Sequence, residues 1–311
     1  MKKKLTSFLL CLLFFLLLFF PEAVQAGAKE GLYLWYSTMI PILFPFILIS
    51  NLLLATDSVR YFTYPFLPIL KWFPSLNPYF PYALIFGWFC GYPMGAKTVA
   101  DLLKSGKITE KEGDFILPAA NQASPMFLMG YLGIHIFKKS YSFGQILFFV
   151  YFPVIIYFLF GLFLFSFQKG QKNIRSRSNA SFYMDTGIQS SFSLEDTILS
   201  SFQIIVNIGV YMMIFTIFMR LALLLLPGGR VLPLLTGFLE MSTGISWLSG
   251  LTSLPVLLRD CLILSVAAFG GLCTCAQTLS VIKGQKLSMT SYVIRKLFLG
   301  GSTFLVAYFF L

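Results

Sequence analysis

An all-α, polytopic membrane protein of two related halves with broken or re-entrant helices is the fold class this chain predicts, on three observations. The 311 residues are 57% hydrophobic and only 11% charged, with mean hydropathy +0.81, which no water-soluble domain matches. The apolar residues are gathered into runs of a length that spans a bilayer. Several of those runs are interrupted by residues that stop or start helices: Gly87, Gly91, Pro93 and Gly95, then Ser124-Pro125, then Gly270-Gly271. Backbone left unpaired at membrane depth has to line a cavity enclosed by protein.

Taken in order, Met1–Phe20 is a Lys2-Lys3-Lys4 cluster followed by an apolar run, and the small residues before Gly27 fit either a cleaved signal segment ending at Ala26 or a retained first span. We read a retained span with a cytoplasmic amino terminus. Gly31–Ala55 predicts a span kinked by Pro41 and Pro45. Tyr61–Pro81, with five prolines, predicts an interfacial connection. Tyr82–Ala96 is the first interrupted segment. Lys97–Asp114 predicts a polar helix-turn-helix broken at Gly106, its second helix opened by a capping box of Thr109 and Glu112. Phe115–Phe137 is the second interrupted segment. There Ser124 is placed to cap a half-helix whose first residue is Pro125. A helix that starts at membrane depth presents N–H donors and a partial positive charge, the makings of an anion site.

Phe143–Phe167 is an uninterrupted span, and the polar, basic stretch Gln168–Thr197 that follows reads as a cytoplasmic linker. The second half repeats the plan with the span Ile198–Leu226, the short Val231–Leu248 broken by Pro233, Gly237 and Gly244, the interrupted Leu254–Ile282, and the closing span Thr290–Leu311. Laid without gaps over Phe269–Thr278, Phe89–Thr98 matches at its Phe, Gly, Ala and Thr positions, which suggests an internal repeat. The organisation is therefore a first span or signal segment (1–26), a first membrane half (27–167), a linker (168–197) and a second half (198–311). Paired broken segments in two halves point to a transporter site at their interface.

Composition also excludes. The net charge of +11 is spread between apolar spans, as cytoplasmic loops of a membrane protein require, so no nucleic-acid partner is expected. The five cysteines all lie in apolar runs and Cys273-Thr274-Cys275 lacks metal or redox spacing. One histidine, His135, rules out paired-histidine metal motifs, and no Gly-x-Ser-x-Gly elbow occurs. No catalytic residue, metal or cofactor is predicted, and the protein is not expected to be an enzyme.

The segments Gly91-Tyr92-Pro93-Met94-Gly95-Ala96-Lys97, Asn121-Gln122-Ala123-Ser124-Pro125, Gly237–Glu240 with Gly244, and Gly270-Gly271 with Ala276-Gln277 resemble, in that order, the sporulation integral membrane proteins of the YlbJ (SpoVV) type. That family is placed in the nucleoside-recognition, or Gate, domain superfamily. The resemblance runs from about residue 30 to the end. It implies a place in the mother-cell-derived outer forespore membrane and movement of dipicolinic acid towards the forespore. It also implies kinship with concentrative nucleoside transporters, whose hairpins and broken helices form the substrate site. A Gln stands at position 122 where the family motif usually has Asn.

On this reading a small anionic heterocycle is bound by Gly91, Tyr92, Gly95, Lys97, Asn121, Gln122, Ser124, Thr274 and Gln277, with Glu240 as the coupling group. Lys97 is either the cation that meets a carboxylate or a snorkelling lysine at a membrane surface. Asn121, Gln122 and Ser124 serve either the ligand or helix-to-helix contacts. Glu240 in an apolar stretch must be paired or protonated: it carries a coupling proton, or it pairs with Arg220 or Arg259. His135 reads as interfacial. The partners expected are the substrate and the bilayer, with a homo-oligomer or other sporulation membrane proteins beyond them. A nucleoside or other small-metabolite permease, and a non-transporting membrane scaffold, are the rival readings.

Overall fold

The computed structural model describes residues 2–56, 77, 79–168, 193–225 and 238–311. Every regular element among them is a helix. In chain order these are α1 (Lys2–Phe19), α2 (Pro21–Leu34), α3 (Ile40–Ala55), α4 (Phe80–Cys90), α5 (Met94–Lys104), α6 (Glu110–Ala120), α7 (Phe127–Ile136), α8 (Phe143–Gln168), α9 (Leu194–Leu225), α10 (Met241–Ser249), α11 (Val256–Phe269), α12 (Gly271–Ile282) and α13 (Met289–Phe310). Five helical runs among the described residues are long and apolar enough to cross a membrane: Pro21–Leu53, Phe143–Leu164, Leu194–Leu225, Val256–Ile282 and Met289–Phe310. The chain is a polytopic helical membrane protein.

Between α2 and α3 the helix widens to a π-helical turn at Trp35–Met39, ahead of Pro41. α2 lies along α9 because Gly27 and Gly31 bring the two backbones together: a Cβ on Gly27 would stand 2.8 Å from Ile217 Cα. The Trp35 indole fills the space over Gly209 and donates to Ile205 O at 2.8 Å. Ala26, where a signal segment would end, falls inside α2. α8 shows lipid its Phe152, Ile156, Phe160 and Phe163 and turns Ile146, Val150 and Val154 inward. The Pro-rich Tyr61–Phe73 stretch, most of the linker, and Pro233 and Gly237 lie outside the described residues.

Contacts at the two ends of the bundle give the directions of the helices. Asn77 Nδ2 donates to Lys107 O at 3.1 Å, so α4 begins where α5 ends. The pair α4–α5 is therefore a re-entrant hairpin whose tip is the Gly91–Pro93 turn. At the same end the Ser288 N–H donates to Asp114 Oδ1 at 2.7 Å and Lys286 pairs with Glu110 at 3.4 Å, so the α12–α13 turn lies beside the start of α6. At the opposite end Tyr141 donates to Asp260 Oδ2 at 2.8 Å, tying the α7–α8 turn to the start of α11. Burial and that carboxylate push the Tyr141 hydroxyl up to about 12, which keeps it a donor at neutral pH. Also at that end, Glu30 on α2 accepts from Arg220 Nε at 2.8 Å and Trp247 Nε1 at 2.5 Å.

The spans α6–α7 and α11–α12 thus run in opposite senses, and so do α8 and α13. This arrangement corrects the internal alignment. The Gly91 and Gly270 breaks look alike locally, each with a positive φ of 77° and 90°, but the chain doubles back at the first and continues across at the second. By direction, α6–α7 with α8 answers to α11–α12 with α13, and the tip before α5 answers to the start of α10. Gly244 is not a break; it is buried inside α10.

Candidate functional site

Four helices begin at one place in the middle of the bundle. α5 starts after the tip turn, α7 after the non-helical Asn121–Ser124, α10 after the turn at Phe238–Glu240, and α12 after Gly270. Each start is closed by a different device. Ser124 Oγ accepts the Phe127 N–H at 3.2 Å, the cap that Ser124-Pro125 predicts. Glu240 caps α10, its two carboxylate oxygens accepting the N–H of Ser242 at 3.0 Å and of Thr243 at 2.6 Å. The first donors of α12, Leu272 and Cys273, bond to Phe238 O at 2.9 Å and Leu239 O at 2.8 Å. In α5, Ala96 N donates to Asn121 Oδ1 at 3.2 Å. The freed N–H groups thus find acceptors either in the residue that caps their own helix, as at α7 and α10, or in a neighbouring break, as at α5 and α12.

Freed carbonyls are met by side chains. Trp88 donates to Ala119 O at 2.7 Å, Tyr151 to Ala123 O at 2.7 Å, Tyr92 to Ala268 O at 3.1 Å and Tyr131 to Ser242 O at 2.6 Å. These bonds explain part of the aromatic content: at a helix break in lipid a Tyr or Trp supplies a donor on an apolar body.

The breaks surround a cavity of about 40 Å³, with Gly91, Tyr92, Ser124, Glu240, Thr274 and Gln277 on its polar side. Met39, Ile208 and Met212 close it from α9 and the α2–α3 turn. Sites for drug-sized ligands run to roughly 300–1,000 Å³, while one water needs only about 10–15 Å³. As it stands the cavity has room for water and not for a heterocycle. The hairpin tip and the second break meet directly: a Cβ on Gly91 would stand 3.0 Å from Ser124 Cβ. Gln277, on the cavity wall, donates from Nε2 to Cys273 Sγ at 3.5 Å.

Four residues expected at the site do not line this cavity. Lys97 faces outward, 50% exposed, and pairs with Asp101 at 2.8 Å one helical turn on. Lys97→Gln is therefore expected to leave solute uptake within twofold of wild type, measured at matched membrane levels. Gly95 is a packing position, since a Cβ there would fall on the Ala120 carbonyl. Asn121 is fully used by the fold: besides accepting from Ala96, its Nδ2 donates to Thr278 Oγ1 at 2.9 Å and Tyr292 Oη at 2.8 Å. Gln122 donates to Pro118 O at 2.6 Å. The ion pair considered for Glu240 is absent too, because Arg220 holds Glu30 and Arg259 holds Asp260 at 3.0 Å. His135 is exposed at the end of α7.

The lysine at the centre is one the sequence reading passed over. Lys296, in the second turn of α13, is 0% exposed. Its Nζ donates to Tyr92 Oη at 2.7 Å, Gln122 Oε1 at 2.9 Å and Asn121 O at 3.2 Å, and lies 4.9 Å from the Tyr92 ring centre. A lysine inside the apolar closing span was the available signal.

No protein-family model matches the chain, and no solved structure matches it. The chain is similar to a protein of Bacillus subtilis (strain 168) described as sporulation integral membrane protein YlbJ, with 22% identity over 312 residues. That match takes in 90% of this chain and 76% of the relative. Gly91, Tyr92, Ala123, Ser124, Glu240 and Gln277, from the segments that carried the resemblance, line the cavity, and the likeness supports a YlbJ-type integral membrane protein.

Proposed function

We propose that the protein is a transporter that moves a small anionic heterocycle, dipicolinate foremost, across the outer forespore membrane during sporulation. The observation that carries this is the cavity at the meeting of four half-helix starts, apolar with a polar side, bounded by a re-entrant tip and two spans of opposite direction. A scaffold has no use for such breaks, each of which needs its own set of compensating hydrogen bonds. The sporulation role comes from the relative's description, and dipicolinate and the Gate-type kinship from the motif resemblance. Opening the cavity would take the tip away from Ser124, so that one half moves against the other in alternating access. The end that bears Lys104, Lys107, Lys111, Lys283 and Lys286 is the cytoplasmic one by the positive-inside rule.

One observation favours a second reading. Glu240 and Gln277 put hydrogen-bond acceptors on the wall, which suits a neutral, hydroxyl-rich solute such as a nucleoside. Uptake of labelled dipicolinate and labelled uridine into liposomes carrying the purified protein separates the two. The expected result is saturable dipicolinate uptake that excess uridine does not inhibit. Uridine uptake alone would establish the second reading, and uptake of neither would overturn both.

A further inference from the structure

We infer that Lys296 is the residue that makes the cavity select anions, its charge delivered through the Tyr92 ring and hydroxyl that form the wall; this rests on the transport reading above. Tyr92 commits its own proton to Ala268 O, Gln122 commits its amide donor to Pro118 O, and Asn121 O is a carbonyl, so all three groups facing Nζ are acceptors. Three such groups within 3.2 Å of Nζ suit an ammonium, which has three N–H donors.

Among the described residues no carboxylate forms a salt bridge with Lys296: Glu240, which shares the cavity wall, is held at the start of α10, Asp114 by the Ser288 N–H, Asp260 by Arg259, Glu30 by Arg220 and Asp101 by Lys97. A buried ammonium whose partners are all neutral leaves a positive potential in its surroundings, and low-dielectric walls sustain that potential. Tyr92 is the shared wall, since its oxygen takes the Lys296 bond and the residue lines the cavity. A carboxylate entering the cavity would supply the missing negative charge, whereas a neutral solute of the same shape would not. Lys296 thus acts through Tyr92 as a specificity-determining, positioning residue. The same bonds join the hairpin tip to the α6–α7 break, so a purely structural role has to be told apart from a selective one.

The test uses two probes of one shape, dipicolinate and its uncharged diamide, with binding measured on purified protein in nanodiscs. Wild type is expected to prefer dipicolinate by roughly 10- to 100-fold, the size a unit charge one ring away supports. Lys296→Met, similar in length and uncharged, should lose that preference while binding the diamide within about threefold of wild type; Lys296→Arg should keep part of it. Tyr92→Phe should reduce the preference less. Equal loss of both probes in Lys296→Met would mean a peg and no more, and would overturn the inference. Should Lys296→Met fail to fold, wild type still decides, because equal affinity for the two probes overturns the inference without any variant. Wild type binding neither probe would count against the transport of such heterocycles. Thermal shifts with benzoate against benzamide would then decide the inference separately, with no preference for the carboxylate overturning it.

Discussion

Gly95→Ala is expected to leave little folded protein. The two arms of the α4–α5 hairpin close on the last carbonyl of α6: a Cβ on Gly95, or on Gly87 opposite it, would fall on Ala120 O, and the Gly95 Cβ would also stand 2.8 Å from Asn121 Cα. All of these obstacles are backbone, held in place by α6 and by the Asn121 bonds, so no side chain can swing away. Overpacking a tight site costs typically about 1–3 kcal/mol, and a clash with rigid backbone belongs at or above the top of that range. The measurement is the yield of monodisperse protein on detergent size exclusion, with the thermal midpoint of what survives. Gly301→Ala is the control: nothing lies within 4 Å of a Cβ on that exposed helical glycine. It should be neutral or stabilise α13 by about 0.5–1 kcal/mol. A Gly95→Ala protein with the wild-type midpoint would show that the hairpin does not pack on Ala120.

Glu240 should give the second large effect, and two substitutions divide its roles. Glu240→Ala removes both acceptors at the start of α10 and leaves the N–H groups of Ser242 and Thr243 without their partners in a buried site. At about 1–3 kcal/mol for each unsatisfied buried group, the loss is roughly 2–6 kcal/mol, and transport should disappear with the fold of the tip. Glu240→Gln keeps one acceptor oxygen and nearly the same shape. It should fold with a modestly lowered midpoint and still bind solute, but uptake should no longer follow an imposed pH gradient if Glu240 carries the coupling proton. Gradient-driven uptake that persists in Glu240→Gln removes it from coupling. Charge reversal at Arg220 or Arg259 should not rescue either variant, since both arginines are occupied by other carboxylates.

The positions of the breaks were legible because a break has a local chemistry. Gly91, Gly270 and Gly271 hold positive φ values that other residues rarely take, Ser124-Pro125 is a helix start, and Thr109 with Glu112 forms its predicted capping box. Lys97 misled because its place after the Gly-rich turn says nothing of which side of α5 it occupies; the helix turns it outward, towards Asp101. Asn121 and Gln122 were rightly placed at a break, yet their hydrogen bonds go to α5, α6, α12 and α13, partners up to 174 positions away in the chain.

The sequence by itself determined that the chain is a helical membrane protein, where its helices stop and restart, and that the stops belong together, because apolar runs, glycines, prolines and caps act within a few residues of themselves. Only the tertiary structure decided which segment doubles back and which crosses, that Lys296 and not Lys97 reaches the centre, and that Glu240 closes a helix and pairs with neither Arg220 nor Arg259. Those outcomes depend on which distant carbonyl or amide lies within about 3 Å of a given side chain, a distance that the order of residues along the chain does not contain.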